Sequence, residues 1–543
     1  MSTLALPRRH AGTQRTAFTG TRQLFLLAAR RDRVLIPVSA ALLTVLSVGS
    51  AQATLALYPT DADASTGLAS VLGNPAAKAL YGPLASPTAD ALAVFKSNTL
   101  GAVGVALLAY AVVRRHTRLE EEEGRLELLG AGVVGRRAPL AAAVLLSVVS
   151  VVGISLLTVL GLSALGMDPV GSLAVGAGWA IAGLGMTGVT AVAAQLTSTA
   201  RGCTAFALGA LLVDYVVRAV GDTVDAASAL GWATPLGWAL KVEAYGANRF
   251  WLLLPAVALM SACLVLADRL QGRRDLGAGV LPPRPGPVRA GRGLGSAGSL
   301  VRRLGRPTVL GWTVALLVLS LVLGSLVGAA SDLLDDPQIQ EFLAALGGTG
   351  KTLTDAYWMT ELRFLAAGVA AAGISVAERL AAEERTGRGE MLLTTPTSRS
   401  RWFGANAALA VLLPAWLLLI AGVVGGTLGS RTAPGSAGAL EVTAAALSTL
   451  PAVAVCVGAA LALVGLSLRW APMAWAVLGV AFLLAEVGPL LRLPDWLVAL
   501  SPFDHLQRLP GGTFEPGKAL VLTAVAAALT LLGWAAYRRR DLL

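Results

Sequence analysis

The chain is 543 residues long, 55% hydrophobic and 14% charged, with a mean hydropathy of +0.69. A soluble protein would carry roughly a quarter charged residues, so this composition excludes an ordinary globular domain. The formal net charge of +11 does not indicate nucleic-acid binding, because the arginines flank apolar runs and no basic surface interleaves with aromatic residues. The few cysteines and histidines are scattered, which argues against disulfides and against a metal site.

Apolar segments long enough to cross about 30 Å of hydrocarbon recur along the chain, which predicts an all-α, polytopic membrane protein. We expect about twelve transmembrane helices. Those of the first half lie near 34–57, 97–113, 138–164, 170–196, 203–221 and 250–267. Those of the second half lie near 309–330, 361–377, 404–427, 440–467, 470–490 and 518–537.

The rest of the chain divides around these two six-helix halves. Residues 1–33 form a basic tail, within which 21–31 suits either an interfacial amphipathic helix or plain tail. The first half spans 34–267 and the second, with a basic carboxyl terminus, 307–543. Between them, 268–306 is rich in Pro, Gly and Arg and is expected to be a flexible cytoplasmic connector.

A charged pattern occurs twice, 263 residues apart, just after the second span of each half. Both copies read Glu-Glu-x-x-Gly-Arg-x-Glu, and Arg136 and Arg399 occupy matching places downstream. Such self-similarity predicts two related halves joined head to tail. As helices, the copies would pair Glu121 with Arg125 and Glu384 with Arg388, four residues apart. The glycine of each copy, Gly124 or Gly387, would leave room for a partner to pack closely. A charged loop beside a span is the plainer interpretation.

Charges inside apolar spans are costly and need a reason. Asp214 and Arg218 lie one helical turn apart and are expected to neutralise each other. The repeat places Arg218 and Glu486 at nearly the same depth, so a structural ion pair or a path for substrate or protons are both open.

Arginines dominate the tail, the 114–137 loop, the connector and the carboxyl terminus, whereas the lysines fall near the other surface. By the positive-inside rule, both termini and both acidic segments lie in the cytoplasm. Gly347–Thr352 looks like the end of a phosphate-binding loop, but Ala345 replaces its first glycine and the segment is expected outside the cell.

At this point the residues resemble a known family. The paired acidic motifs, Arg218 to Asp222 before the turn Thr234 to Trp238, and Ser501 to His505 before Leu509-Pro510-Gly511 are similar to permease subunits of actinobacterial ABC exporters for polyketide antibiotics and other drugs. The resemblance covers nearly the whole chain.

This resemblance implies an integral permease of the bacterial cytoplasmic membrane that exports hydrophobic small molecules. ATP and Mg would bind a separate ABC ATP-binding subunit, expected in two copies per permease, and this chain would bind no cofactor itself. The resemblance assigns contact with that subunit to the acidic segments, at Glu120, Glu121, Gly124, Arg125, Glu127, Glu383, Glu384, Gly387, Arg388 and Glu390.

An ion-coupled secondary multidrug transporter is the alternative, since many spans and an internal repeat suit that class too. It would use Asp214 or Glu486 as the titrating group and would need no ATPase. An intramembrane enzyme is not indicated, because the sequence offers no paired His, Cys or carboxylate residues at catalytic spacing.

Overall fold

A computed structural model describes residues 17–62, 64, 75–130, 132, 134–282, 288–289, 291–332, 350–487 and 493–540. Throughout these residues the regular structure is helical, as the composition predicted. The chain divides into two compact units, Met1–Gly286 and Pro287–Leu543. We refer to them as unit 1 and unit 2, and number the long helices of each from first span to sixth span.

In the described part of unit 1 the first helix is Thr21–Arg31, at the position considered for an amphipathic segment. The second span starts at Ala89 and continues beyond Arg114 through a π-helical turn, Arg115–Leu119, to Glu122. Its spans are Leu35–Leu57, Ala89–Arg114 with this extension, Ala138–Ala164, Pro169–Leu196, Ala200–Thr223 and Leu253–Gly272.

Unit 2 has the same order of elements. Its second span, Gly350–Arg385, is a single helix, although charged residues at 361 and 363 interrupt the apolar run at the start of the predicted segment. Its spans are Ala297–Asp332, Gly350–Arg385, Arg399–Ile420 continued by a π-helical turn and Gly426–Thr432, Ala439–Ser448 continued by Leu450–Leu466, Met473–Val487 and Pro516–Arg539.

Eleven helices in the described residues are long and apolar enough to cross a membrane. The predicted segment near 470–490 contains the shorter apolar helix Met473–Glu486. Residues 488–492, where that prediction ends, lie outside the described part of the chain. Residues 333–349, which include the start of the phosphate-loop look-alike, also lie outside it.

In each unit the fourth span packs closely on the sixth span. In unit 1, a Cβ on Gly188 would come within 3.0 Å of Met260 Cα on the sixth span. In unit 2, a Cβ on Gly465 would come within 2.2 Å of the Gly533 carbonyl oxygen. These glycines therefore allow the two backbones to approach, as small residues do between membrane helices.

The connector is shorter and less free at its beginning than the sequence suggested. The sixth span of unit 1 extends to Gly272, and unit 2 begins its first span at Ala297. The amides of Val280 and Leu281 donate hydrogen bonds to the carbonyls of Gln195 and Leu196 at the end of the fourth span. These backbone bonds hold the first residues of the connector against unit 1, an outcome that its Gly- and Pro-rich composition does not reveal.

Candidate functional site: the two acidic elbows

Both acidic segments fold as a helix, a tight turn at glycine and a second short helix. The first elbow is residues 120–130, with its second helix at Arg125–Gly130, and the second elbow is residues 383–393, with its second helix at Arg388–Leu393. Gly124 and Gly387 have φ of 72° and 70°. Their amides donate to the carbonyls of Glu121 and Glu384 at 3.1 and 2.9 Å, so the two turns match in detail.

The turn changes which charged residues meet. Arg125 Nη1 lies 3.0 Å from Glu120 Oε1, and Arg388 Nε lies 2.7 Å from Glu383 Oε2. The predicted pairs at four-residue spacing, Glu121 with Arg125 and Glu384 with Arg388, are therefore wrong by one residue. They assumed a continuous helix, whereas the left-handed glycine turns the chain and returns each arginine to the first glutamate.

The second glutamate of each elbow pairs with an arginine at the end of its unit's sixth span. Arg274 Nη2 lies 3.0 Å from Glu121 Oε2, and Arg540 forms an ion pair with Glu384. Sequence analysis missed both arginines as part of the site. Their offset of 266 residues nearly equals that of the elbows, and this was the available signal.

Burial separates the elbow residues into two sets. Glu120, Glu121, Glu383 and Glu384 are each 8% exposed or less, so their charges are used inside the protein. Buried carboxylates need such partners, because an unpaired charge out of water is costly. The other charged members of the predicted site face outward: Arg125, Glu127, Arg388 and Glu390.

The two glycines have a conformational reason rather than a packing reason in the structure. A Cβ at Gly124 or Gly387 would meet no atom within 4 Å, so neither glycine is needed for close approach within its unit. Positive φ is instead the property that favours glycine at these positions. The open space around each turn also leaves the outer face of the elbow accessible.

The first elbow has further contacts that join it to neighbouring helix ends. Glu120 also pairs with Arg31, the last residue of the amino-terminal helix. Glu122 accepts a hydrogen bond of 2.7 Å from the amide of Ala200, the first residue of the fifth span. In the second elbow Thr386 stands in the place of Glu123, so the copies differ in charge.

A cavity of about 410 Å³ lies beside the first elbow, and its lining includes polar and charged side chains. It is bounded by the ends of several spans and by the start of the connector. Its lining includes Thr117, Glu121, Leu126, Arg136, Gln195, Gln271, Arg274 and Asp275. In the described residues, no group of three or more His, Cys, Asp or Glu side chains has an arrangement that could hold a metal ion.

Each charged residue that the sequence placed within a span has a polar partner in its own unit. Arg218 is fully buried and pairs with Asp222, at 3.2 Å, rather than with Asp214 as predicted. It also donates to the Ala79 carbonyl at 2.9 Å, which fixes the short helix Pro75–Tyr81 of the outer loop. Asp214 instead accepts a hydrogen bond of 3.3 Å from the amide of Leu236.

Glu486 has its ion pair within unit 2. Its Oε1 lies 3.3 Å from Arg363 Nη1 on the second span of the same unit. Glu486 and Arg218 therefore each have a charged partner inside their own unit, whereas the sequence had suggested that they pair with each other. A structural role for these charges and a path for substrate or protons both stay predictions.

The fold and the site together define a polytopic, all-α membrane protein: two helical units with a similar order of helices, each with one elbow after its second span. Residues 294–538 match the family model described as the C-terminal domain of the multidrug efflux system permease Rv1217c. Over 544 aligned positions, the chain is 38% identical to the multidrug efflux system permease protein Rv1217c of Mycobacterium tuberculosis (strain ATCC 25618 / H37Rv), covering 99% of this chain and 98% of that protein. The chain belongs to this family of multidrug efflux system permeases.

Proposed function

We propose that this chain is the membrane-spanning permease of an ATP-driven ABC exporter that moves hydrophobic compounds, such as drugs and polyketide antibiotics, out of the cell. ATP hydrolysis takes place on a separate ATP-binding subunit, two copies of which associate with one permease chain. The relative's description as a multidrug efflux system permease supports the direction and the substrate class.

The observation that carries the proposal is the duplicated elbow. In each unit, two buried glutamates pair with arginines of the same unit. The short helix that follows carries one exposed arginine and one exposed glutamate. Two equivalent outward helices, one in each half of the chain, suit contact with two copies of one partner. A secondary transporter would have no comparable use for them.

The arginine distribution supports an orientation with both termini and both elbows in the cytoplasm, and a location in the bacterial cytoplasmic membrane. ATP-binding subunits are soluble proteins that would reach the elbows from that side. Mg and ATP would then stay on the partner. The differences between Glu123 and Thr386 and between their neighbours would make the two contacts unequal.

The test is drug-stimulated ATP hydrolysis in proteoliposomes that contain the permease and its candidate ATPase. The variant Glu127→Ala with Glu390→Ala removes one exposed acid from each elbow and leaves the buried glutamates in place. We expect drug stimulation to fall by about tenfold, within the range of typical couplings between two sites of one protein. The matched control is Asp495→Ala with Glu515→Ala, which removes two exposed acids outside the elbows.

Full stimulation in the elbow variant would contradict the coupling role of these helices. A different result would overturn the class as a whole. Drug transport by the permease without any ATPase, in proportion to an imposed proton gradient, would favour the ion-coupled secondary transporter.

A further inference from the structure

In both units an arginine at or next to the start of the third span donates to one carbonyl in the last turn of the sixth span and to one carbonyl just beyond that span. Arg136 Nη2 donates to the carbonyls of Gln271 and Arg274 at 2.7 and 2.8 Å. Arg399 Nη1 donates to the carbonyls of Arg538 and Arg540 at 3.4 and 2.8 Å. The final carbonyls of a helix lack partners within the helix, so this cation satisfies groups that would otherwise need water.

The arginine that follows each sixth span continues from this point to the elbow. Arg274 and Arg540 pair with the second glutamates of their elbows, Glu121 and Glu384. The guanidinium of Arg540 also lies 5.5 Å from the ring centre of the fully buried Tyr537. Both arginines thus contact the buried face of the elbow, opposite the face that carries its exposed side chains.

The same two arginines also reach the end of the fourth span. Arg274 Nε donates to Gln195 Oε1 at 2.8 Å, and Arg540 Nη1 donates to the Val464 carbonyl at 3.1 Å. Gln195 and Val464 are each close to the last residue of a fourth span. The contact between the arginine after the sixth span and the end of the fourth span therefore occurs in both units, although the residues at the fourth span differ. Its recurrence indicates that it is not a chance contact of one unit.

We infer that these two pairs of arginines, Arg136 with Arg274 and Arg399 with Arg540, transmit movement of each elbow to the sixth and fourth spans of its unit. We call each pair an arginine clasp. The inference rests on the proposed function and adds to it the residues that link the partner-facing helix to the transmembrane bundle. Separating an elbow from the inner end of its sixth span would remove a charged partner from a buried glutamate, so we expect the two to move together. In unit 1 the loss is partial, because Arg118 also pairs with Glu121, at 3.2 Å.

The experiment compares two double variants of the full chain. The clasp variant carries both Arg274→Gln and Arg540→Gln, and the control carries both Arg273→Gln and Arg539→Gln. The control changes the preceding arginine in each unit, and both of these side chains are exposed. Each variant is reconstituted with the candidate ATPase, and drug transported is divided by ATP hydrolysed. We expect this ratio to fall by about tenfold in the clasp variant and to stay at the wild-type value in the control.

A second measurement separates transmission from simple loss of structure. Exchanging the charges of the ion pair between one clasp arginine and its elbow glutamate, as Arg540→Glu with Glu384→Arg, should restore most of the ratio that Arg540→Glu alone removes. Equal ratios in clasp variant and wild type, or equal losses in clasp variant and control, would overturn the inference.

A third measurement needs no ATPase and therefore distinguishes the inference from the proposed function. In the permease alone, Glu121→Gln with Glu384→Gln should speed amide hydrogen exchange at the inner ends of the sixth spans, relative to Glu127→Gln with Glu390→Gln. Unchanged exchange there would overturn the clasp. Absence of ATP-dependent transport by the wild type would instead overturn the proposed function and leave the clasp to be judged by exchange alone.

Discussion

Gly124 and Gly387 adopt positive φ at positions where an L side chain is strained. The same turn sets the ion pairs of both elbows, because it brings the arginine that follows back to the first glutamate. The conformation of one residue thus decides which charges are buried and which remain exposed. This makes the glycine the most direct point at which to test the elbow.

Replacing Gly387 with Ala should destabilise the protein by about 1–2 kcal/mol, the cost of placing an L residue in the left-handed region. Space does not contribute, since nothing lies within 4 Å of the new Cβ. Gly368→Ala is the matched control: it lies in the second span that leads to the same elbow and also meets nothing within 4 Å. It should stabilise by up to about 1 kcal/mol, because alanine favours a helix over glycine. Thermal unfolding in detergent measures both, and equal shifts in the two variants would contradict the argument.

Arg218→Met should destabilise unit 1 by about 3–5 kcal/mol, since it leaves the carboxylate of Asp222 buried without its cation. Replacing both members, as Arg218→Met with Asp222→Leu, should recover much of this loss because no uncompensated charge remains. Urea unfolding of the purified protein gives the comparison. If the double variant is as unstable as the single one, the contacts of Arg218 with the outer-loop carbonyls are the important interaction instead.

At the scale of elements, the amino-terminal helix Thr21–Arg31 is attached to the second span by charged residues. Asp32, which follows the helix, is fully buried and lies 2.7 Å from His116 Nε2 and 2.9 Å from Arg115 Nη1. Both partners lie in the π-helical turn that leads to the first elbow. The sequence left a helix and a plain tail both open for this segment. The structure shows a helix that is attached by charged residues as well as by apolar side chains such as Ala28.

Asp32→Asn should therefore loosen this helix while leaving the spans in place. The carboxylate places one oxygen near Arg115 and the other near His116, and an amide keeps only one of these two oxygens, so the free energy of local opening should fall by about 1–3 kcal/mol. Hydrogen exchange of residues 21–31, followed by mass spectrometry, reports that opening. Arg33→Gln changes an exposed neighbour and serves as control. Slow exchange in both variants would show that apolar contacts alone hold the helix.

At the scale of the whole molecule, the repeat extends from the order of spans to single contacts. Thr234 accepts a hydrogen bond from the amide of Gly237, and Ser501, at the matching position, accepts one from the amide of Phe503. Both side chains stabilise the turn that follows the fifth span. A hydroxyl side chain thus accepts a hydrogen bond at matching positions of the two units, although Thr234 bonds the amide three residues on and Ser501 the amide two residues on.

The proposed orientation places both elbows on one side of the membrane. In a chain whose native cysteines are replaced, a cysteine at Glu123 or Thr386 should react with a membrane-impermeant maleimide only after cells are permeabilised. A cysteine at Pro83 or Lys518 should react in intact cells. All four positions are exposed in the structure, so a difference in labelling reports sidedness. If one elbow cysteine reacted in intact cells and the other only after permeabilisation, the two elbows could not lie on the same side of the membrane.

The sequence by itself determined the helical membrane fold, most span positions, the duplication and the residues of both elbows. These features depend on local properties, namely runs of apolar residues, glycine at turns and a pattern repeated at a constant offset. Only the tertiary structure decided the partners of the charged residues. Arg274 meets Glu121 and Arg540 meets Glu384 across 153 and 156 residues, and Arg218 chooses Asp222 over Asp214. These pairings depend on which helix ends pack together and on how far a single glycine turns the chain. The spacing of charges along one helix predicts neither of these two properties.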